Sequence, residues 1–210
     1  MFSGALNAIL LSISLLQAEP AIRLDQASRP RLPDGTEQSQ LAVVVFEIQI
    51  GADGAVIGDE LIQGQPEYVE RSRRALKDWN FAGVDPASAP IPASVVFLYR
   101  PRPDLPDRPM VFDETLPDGF DENHLSAFPT TVVDPGYPVS AFADGAVILQ
   151  VAPTAKGTVE NVDVIAGVPS LSEPTVAAVR NWEFHVPTPS RSRPNISIIV
   201  TVYRKPLYNW

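Results

Sequence analysis

Apolar and polar positions along the chain fall into patterns that predict a short series of elements. Residues 41–50, Leu-Ala-Val-Val-Val-Phe-Glu-Ile-Gln-Ile, begin as a continuous apolar run and end in alternation. This fits a central strand covered on one face and partly shielded on the other. Gly51-Ala52-Asp53-Gly54 follows as a hairpin turn, because Asp-Gly supplies the positive φ such turns need, and residues 55–62 form the return strand. Gly64-Gln65-Pro66 breaks that strand and starts a helix. Tyr68, Ser72, Ala75, Leu76 and Trp79 then fall at i, i+4, i+7, i+8 and i+11, along one helical face. Arg71, Arg73, Arg74 and Lys77 occupy the other face, which reads as solvated surface rather than a phosphate site. A proline-rich loop after Phe81 leads to a third strand at 93–99, so the order is ββαβ.

The same order returns 103 positions later. Between residues 54–81 and 157–184, nine of 28 aligned positions are identical: Gly54, Val56, Ile62, Gly64, Pro66, Glu70, Ala75, Trp79 and Phe81 in the first copy. A fixed internal period of this kind decides the architecture before any local reading does. The second copy has its first strand at 146–151, a turn at Ala155-Lys156-Gly157, a return strand at 159–165 and a break at Gly167-Val168-Pro169. Its helix stripe is Leu171, Thr175, Ala178, Val179 and Trp182. Ser170 with Glu173 makes a capping box, and Ser172 is the competing N-cap, placing Pro174 in the first turn. The last strand, at 195–203, ends one residue later relative to Trp-x-Phe than in the first copy. The expected fold class is α+β, with two tandem ββαβ modules at 41–101 and 132–206, each a three-stranded antiparallel sheet with one helix packed on it. Trp79, Phe81, Trp182 and Phe184, at the helix exits, read as structural core rather than as a ligand-stacking set.

The flanking segments differ in character. Residues 1–18 carry no charged side chain and contain a short apolar centre, the pattern of a secretory signal peptide cleaved after Ala18, with a short uncleaved anchor as the alternative. The apolar run falls short of the ~20 residues that span a membrane. Residues 21–40 are a polar, proline-broken lead-in, and residues 102–131 are a Pro/Asp-rich linker or partly ordered strap. The acidic run 118–123 lacks the ligand spacing of an EF-hand loop. The apolar C-terminal residues 207–210 are a segment that docks on a neighbour.

Composition narrows the function. Sixteen basic against 25 acidic side chains give a net charge of -9, which argues against nucleic acid or anionic lipid as the main partner and favours a modestly basic one. No cysteine is present, which removes disulfides and thiolate chemistry. The two histidines, His124 and His185, have no metal-ligand spacing. No nucleophile elbow, phosphate-cradling loop or HExxH motif occurs. The expectation is a non-enzyme without cofactor or metal, working by recognition.

From Tyr137 onward the motifs resemble those of the TonB C-terminal domain family. Tyr137-Pro138-Val139-Ser140-Ala141, Gly145-Ala146-Val147, Gly157-Thr158-Val159, Gly167-Val168-Pro169, Ala177-Ala178-Val179 and Trp182-Glu183-Phe184 stand in the family's order. The resemblance covers 135–206 and extends through the internal repeat to about 41–101, although the first copy lacks a Tyr-Pro opening. It implies a periplasmic protein whose modules each capture an extended peptide of an envelope partner, such as an outer-membrane transporter, by strand addition to the last strand. The implied partner-binding edges are the last strands, with Val95, Phe97 and Tyr99 in the first copy and Ile198, Val200 and Val202 in the second. Two other readings stand beside it: a membrane-anchored energy transducer if residues 1–18 are retained, and a structural envelope scaffold whose small copies pair with each other or self-associate.

Overall fold

The computed structural model describes residues 22–31, 41–102, 109–113, 124–188 and 195–206. The expected signal peptide at 1–18, the acidic run at 118–123 and the C-terminal residues 207–210 lie outside the described residues. The elements are β1 (Arg23–Gln26), β2 (Ala42–Ile50), β3 (Val56–Gln63), α1 (Pro66–Leu76), β4 (Asn80–Ala82), β5 (Ile91–Tyr99), β6 (Met110–Asp113), β7 (Phe128–Asp134), β8 (Gly145–Pro153), β9 (Val159–Ala166), α2 (Pro169–Val179), β10 (Glu183–His185) and β11 (Ser197–Tyr203). The fold is mixed α/β, with two helices and a large sheet of six strands in the order β3-β2-β5-β11-β8-β9. The two three-stranded sheets expected from the sequence are joined in one sheet. It is antiparallel throughout except at its centre, where β5 and β11 run parallel. The polar lead-in supplies β1, which pairs with β4, and the segment expected as a linker or partly ordered strap supplies β6 and the start of β7, which join β10 in a three-stranded sheet.

The two hairpins are built alike. Gly54 N–H donates to Gly51 O and Gly51 N–H to Ala55 O, and Thr154, Gly157 and Thr158 repeat the arrangement. Gly54 and Gly157 adopt φ of 82° and 83°, as a type I turn followed by a left-handed residue requires. A second constraint acts at the same atoms. Phe81 N–H donates to Gly54 O and Phe184 N–H to Gly157 O, both at 2.8 Å, so each turn lies flat on the strand that follows its helix. A Cβ at either glycine would stand 2.0 Å from the facing phenylalanine carbonyl oxygen.

Both helices start at the proline of Gly-x-Pro, whose missing N–H falls where no intrahelical acceptor exists. The capping box expected at Ser170 and Glu173, and the competing cap at Ser172, do not form. Val168 is the N-cap, without a side-chain cap, and Ser172 Oγ donates to Val168 O at 3.0 Å. Pro174 consequently lies inside α2 rather than at its first positions. The expected stripes are the buried ones: Tyr68, Ser72, Ala75 and Leu76 on α1, and Leu171, Thr175, Ala178 and Val179 on α2.

The helices cover opposite faces of the sheet. Phe46, Val95 and Phe97 share a core with α1 residues Tyr68 and Leu76, whereas Val45, Val96 and Leu98 of the same strands share a core with α2 residues Leu171 and Val179. Tyr99 Oη meets Ser72 Oγ at 2.8 Å, and Tyr203 Oη meets Thr175 Oγ1 at 2.6 Å. The hydroxyl partners are 103 positions apart, the tyrosines 104. In the parallel pair, however, Ser94 lies opposite Ser197, 103 positions apart, with their hydroxyls 2.8 Å apart. Since a one-residue slip turns every side chain to the other face, this register sets the two helix-facing sides back to back.

Replacing Gly54 or Gly157 by alanine is expected to cost at least about 2 kcal/mol, from the left-handed φ and the backbone contact together, read as a lowered urea midpoint. A midpoint within error of the parent would contradict the close approach. Burial pushes the Tyr99 hydroxyl up to about 12, opposed in part by its hydrogen bond to Ser72. A raised folded-state value means its contribution is complete below pH 10 and declines as pH rises toward 12, where only the unfolded chain has lost the proton. Between those limits the parent is expected to lose about 2–3 kcal/mol more than Tyr99→Phe, and equal alkaline profiles would refute this.

Candidate functional site

Strand composition separates interior from edge. Every residue of β5 and of β11 is buried, in runs apolar on both faces. This overturns the expected binding edges. Val95 lies opposite Ile198, Phe97 opposite Val200 and Tyr99 opposite Val202, so the two last strands satisfy each other. Their other sides pair with β2 and β8. The physical reason is the continuous apolar pattern itself: a strand apolar on both faces cannot end a sheet without exposing one of them. Trp79, Phe81, Trp182 and Phe184 lie in the two cores, Trp79 and Phe81 with α1, Trp182 and Phe184 with α2. Trp79 Nε1 donates to Ser28 O at 2.9 Å and Trp182 Nε1 to Val133 O at 3.0 Å, so each indole holds the segment preceding its half.

The outer strands are β3 and β9, and among the described residues no strand pairs with their outward sides. Their sequences mix carboxylates with apolar residues, Val-Ile-Gly-Asp-Glu-Leu-Ile-Gln and Val-Glu-Asn-Val-Asp-Val-Ile-Ala. Ile57 and Leu61 on β3 are 63% and 39% exposed, and Val164 on β9 is 46% exposed. Leu61 and Val164 occupy the same position of the repeat. The carboxylates of the two edges differ. Asp59 accepts from Arg73 Nε at 2.7 Å, a bond that raises the already high guanidinium pKa, and Glu60 lies 3.9 Å from His124 Nε2. Glu160 and Asp163 on β9 are exposed and have no ion pair among the described residues.

A cleft of about 1230 Å³ lies where β5 and β11 begin and reaches β9. Its charged lining is Asp85, Glu160 and Asp163 against a single Arg180. Asp85 is held ionised, its pKa lowered by the Ala87 N–H and the Ser88 hydroxyl. Asn195 lines the same cleft, and its Oδ1 is buried without a donor among the described residues.

Residues that sequence reasoning passed over tie the halves together. Glu47 Oε2 accepts from Leu125 N–H, Ser126 N–H and Ser126 Oγ at 2.9, 3.0 and 2.5 Å. Gln150, 103 positions on, accepts from Leu24 N–H at 2.8 Å and donates to Ile22 O at 2.7 Å. The segment before each half is thereby latched to the opposite half's first strand. A buried pair joins Arg100, just beyond β5, to Asp134 through Nε–Oδ1 and through Nη2–Oδ2 at 3.0 Å, with the guanidinium 5.5 Å from the Tyr203 ring centre. A signal existed for the first two: each is a polar residue inside a largely apolar strand, at matching positions of the repeat. Arg100 and Asp134 carry no such mark.

Among the described residues no group of three or more His, Asp or Glu side chains is arranged to hold a metal ion, and no helix is long and apolar enough to cross a membrane. No family model matches the chain, and neither a curated protein nor a solved structure matches it at the threshold applied.

Proposed function

We propose that this is a non-enzymatic envelope protein that binds an extended segment of a protein partner by adding it as a strand to an outer edge of its sheet. We read the two halves as tandem ββαβ modules, in keeping with the family resemblance. The binding edges are then β3 and β9 rather than the last strands. The observation that carries the reading is the pair of outer strands whose outward main-chain groups face no strand among the described residues, each bearing exposed apolar side chains. An incoming segment satisfies that row of N–H and C=O groups, while Leu61 and Val164 gain cover from its alternate side chains. Extended segments of outer-membrane transporters are the partner class the resemblance suggests.

A second reading has its own support. The pairing of β5 with β11 makes each half the edge cover of the other, as in a structural scaffold whose copies are inseparable. The two readings part on ligand binding. Titration of transporter-derived peptides into the full chain, with amide exchange as readout, is expected to protect amides of β3 or β9. Leu61→Asp with Val164→Asp is expected to weaken binding roughly tenfold by losing the apolar cover, while leaving the fold intact. Peptides that bind equally well after N-methylation of alternate residues, or that protect neither edge, would leave the scaffold reading in place.

Location is tested separately. A mature N-terminus at Glu19, found by mass spectrometry in the soluble periplasmic fraction, is the expected result. Retention of residues 1–18 in the membrane fraction would instead favour an anchored transducer.

A further inference from the structure

Resting on the strand-addition reading, we infer that β9 is the working edge and that its occupant is a basic extended segment, one alternating lysine or arginine with β-branched residues. The two edges share their backbone geometry but not their electrostatics. On β3, Asp59 is held by Arg73 and Glu60 lies beside His124. On β9, Glu160 and Asp163 face solvent with no cation paired to them among the described residues. The neighbouring helix explains the contrast: α1 contains Arg71, Arg73 and Arg74, whereas α2 contains no basic residue and carries Val176 where the repeat has Arg73.

Self-pairing is disfavoured by the same charges. A second copy of β9 laid alongside the first brings carboxylates against carboxylates, and like charges across neighbouring strands are destabilising. A strand with lysines in those positions meets opposite charge instead, and its β-branched residues meet Val162 and Val164. The cleft beside β9 extends the match. Asp85, Glu160 and Asp163 against the single Arg180 leave it acidic on balance, the charge a lysine or arginine head favours.

The test uses the full chain and three synthetic peptides of about eight residues, the length of an ordinary strand. Each alternates valine or threonine with one other residue: lysine, glutamine or glutamate. The lysine peptide is expected to bind, to protect amides of β9 rather than β3, and to weaken as salt is raised. Glu160→Gln with Asp163→Asn, both exposed and so harmless to the fold, is expected to weaken that binding roughly tenfold and to flatten its salt dependence. Asp59→Asn is expected to leave it unchanged. Equal binding of the glutamine peptide, or protection of β3 instead, overturns the basic-partner assignment while strand addition survives. No protection of either edge by any of the three peptides overturns both.

Discussion

The parallel pairing of β5 with β11 is the constraint on which the remaining architecture depends. Both strands are buried along their whole length and apolar on both faces. Neither can form the border of a sheet in water, because an unpaired row of main-chain groups and two apolar faces would be exposed together. Each strand instead completes the other. The sheet therefore extends to six strands, its borders move outward to β3 and β9, and the register of the central pair sends the two helices to opposite faces.

That arrangement creates a second requirement. A helix covers only its own half of one face, so each half is left with an apolar face that its own helix does not reach. The segments preceding the halves take up this role. β1 and the 124–128 stretch lie across from the Gln150 and Glu47 side chains that hold them, and each continues to the backbone carbonyl that accepts its half's indole N–H. The buried carboxylate of Glu47 is tolerable because three donors converge on one oxygen. Arg100 and Asp134 follow the same logic, as charges that are taken out of water only in mutual, bidentate contact. Removing either partner would leave the other charge buried and uncompensated.

With the interior strands paired on both sides, the open main-chain groups of the sheet lie at its periphery. The borders carry charged side chains, one of the ways sheets avoid uncontrolled edge-to-edge association. The same charges, without an ion pair among the described residues on one border and partly paired on the other, distinguish two edges that the repeat made alike. Duplication supplied two equal borders, and divergence of the adjoining helices made them different in charge.

Much of this was legible in the residues. The hairpin glycines, the proline helix starts and the stripes ending at Trp79 and Trp182 depend on neighbours a few positions away, so periodicity and turn chemistry locate them directly. The continuous apolar run of β5 and the charged residues of β3 and β9 already marked interior and border, although the family resemblance pointed the other way. Ser170 shows the limit of local reading, since a good capping pattern lost to the proline at the true first position of α2. What the sequence by itself determined was the repeat, its two hairpins, helices and last strands, and which faces are apolar. Which strand lies beside which, on which face each helix sits, and which segment each polar latch holds were decided only by the tertiary structure. The physical reason is that main-chain hydrogen-bonding groups are the same at every residue and carry no address. The choice among pairings is made by the whole set of faces that must be buried at once.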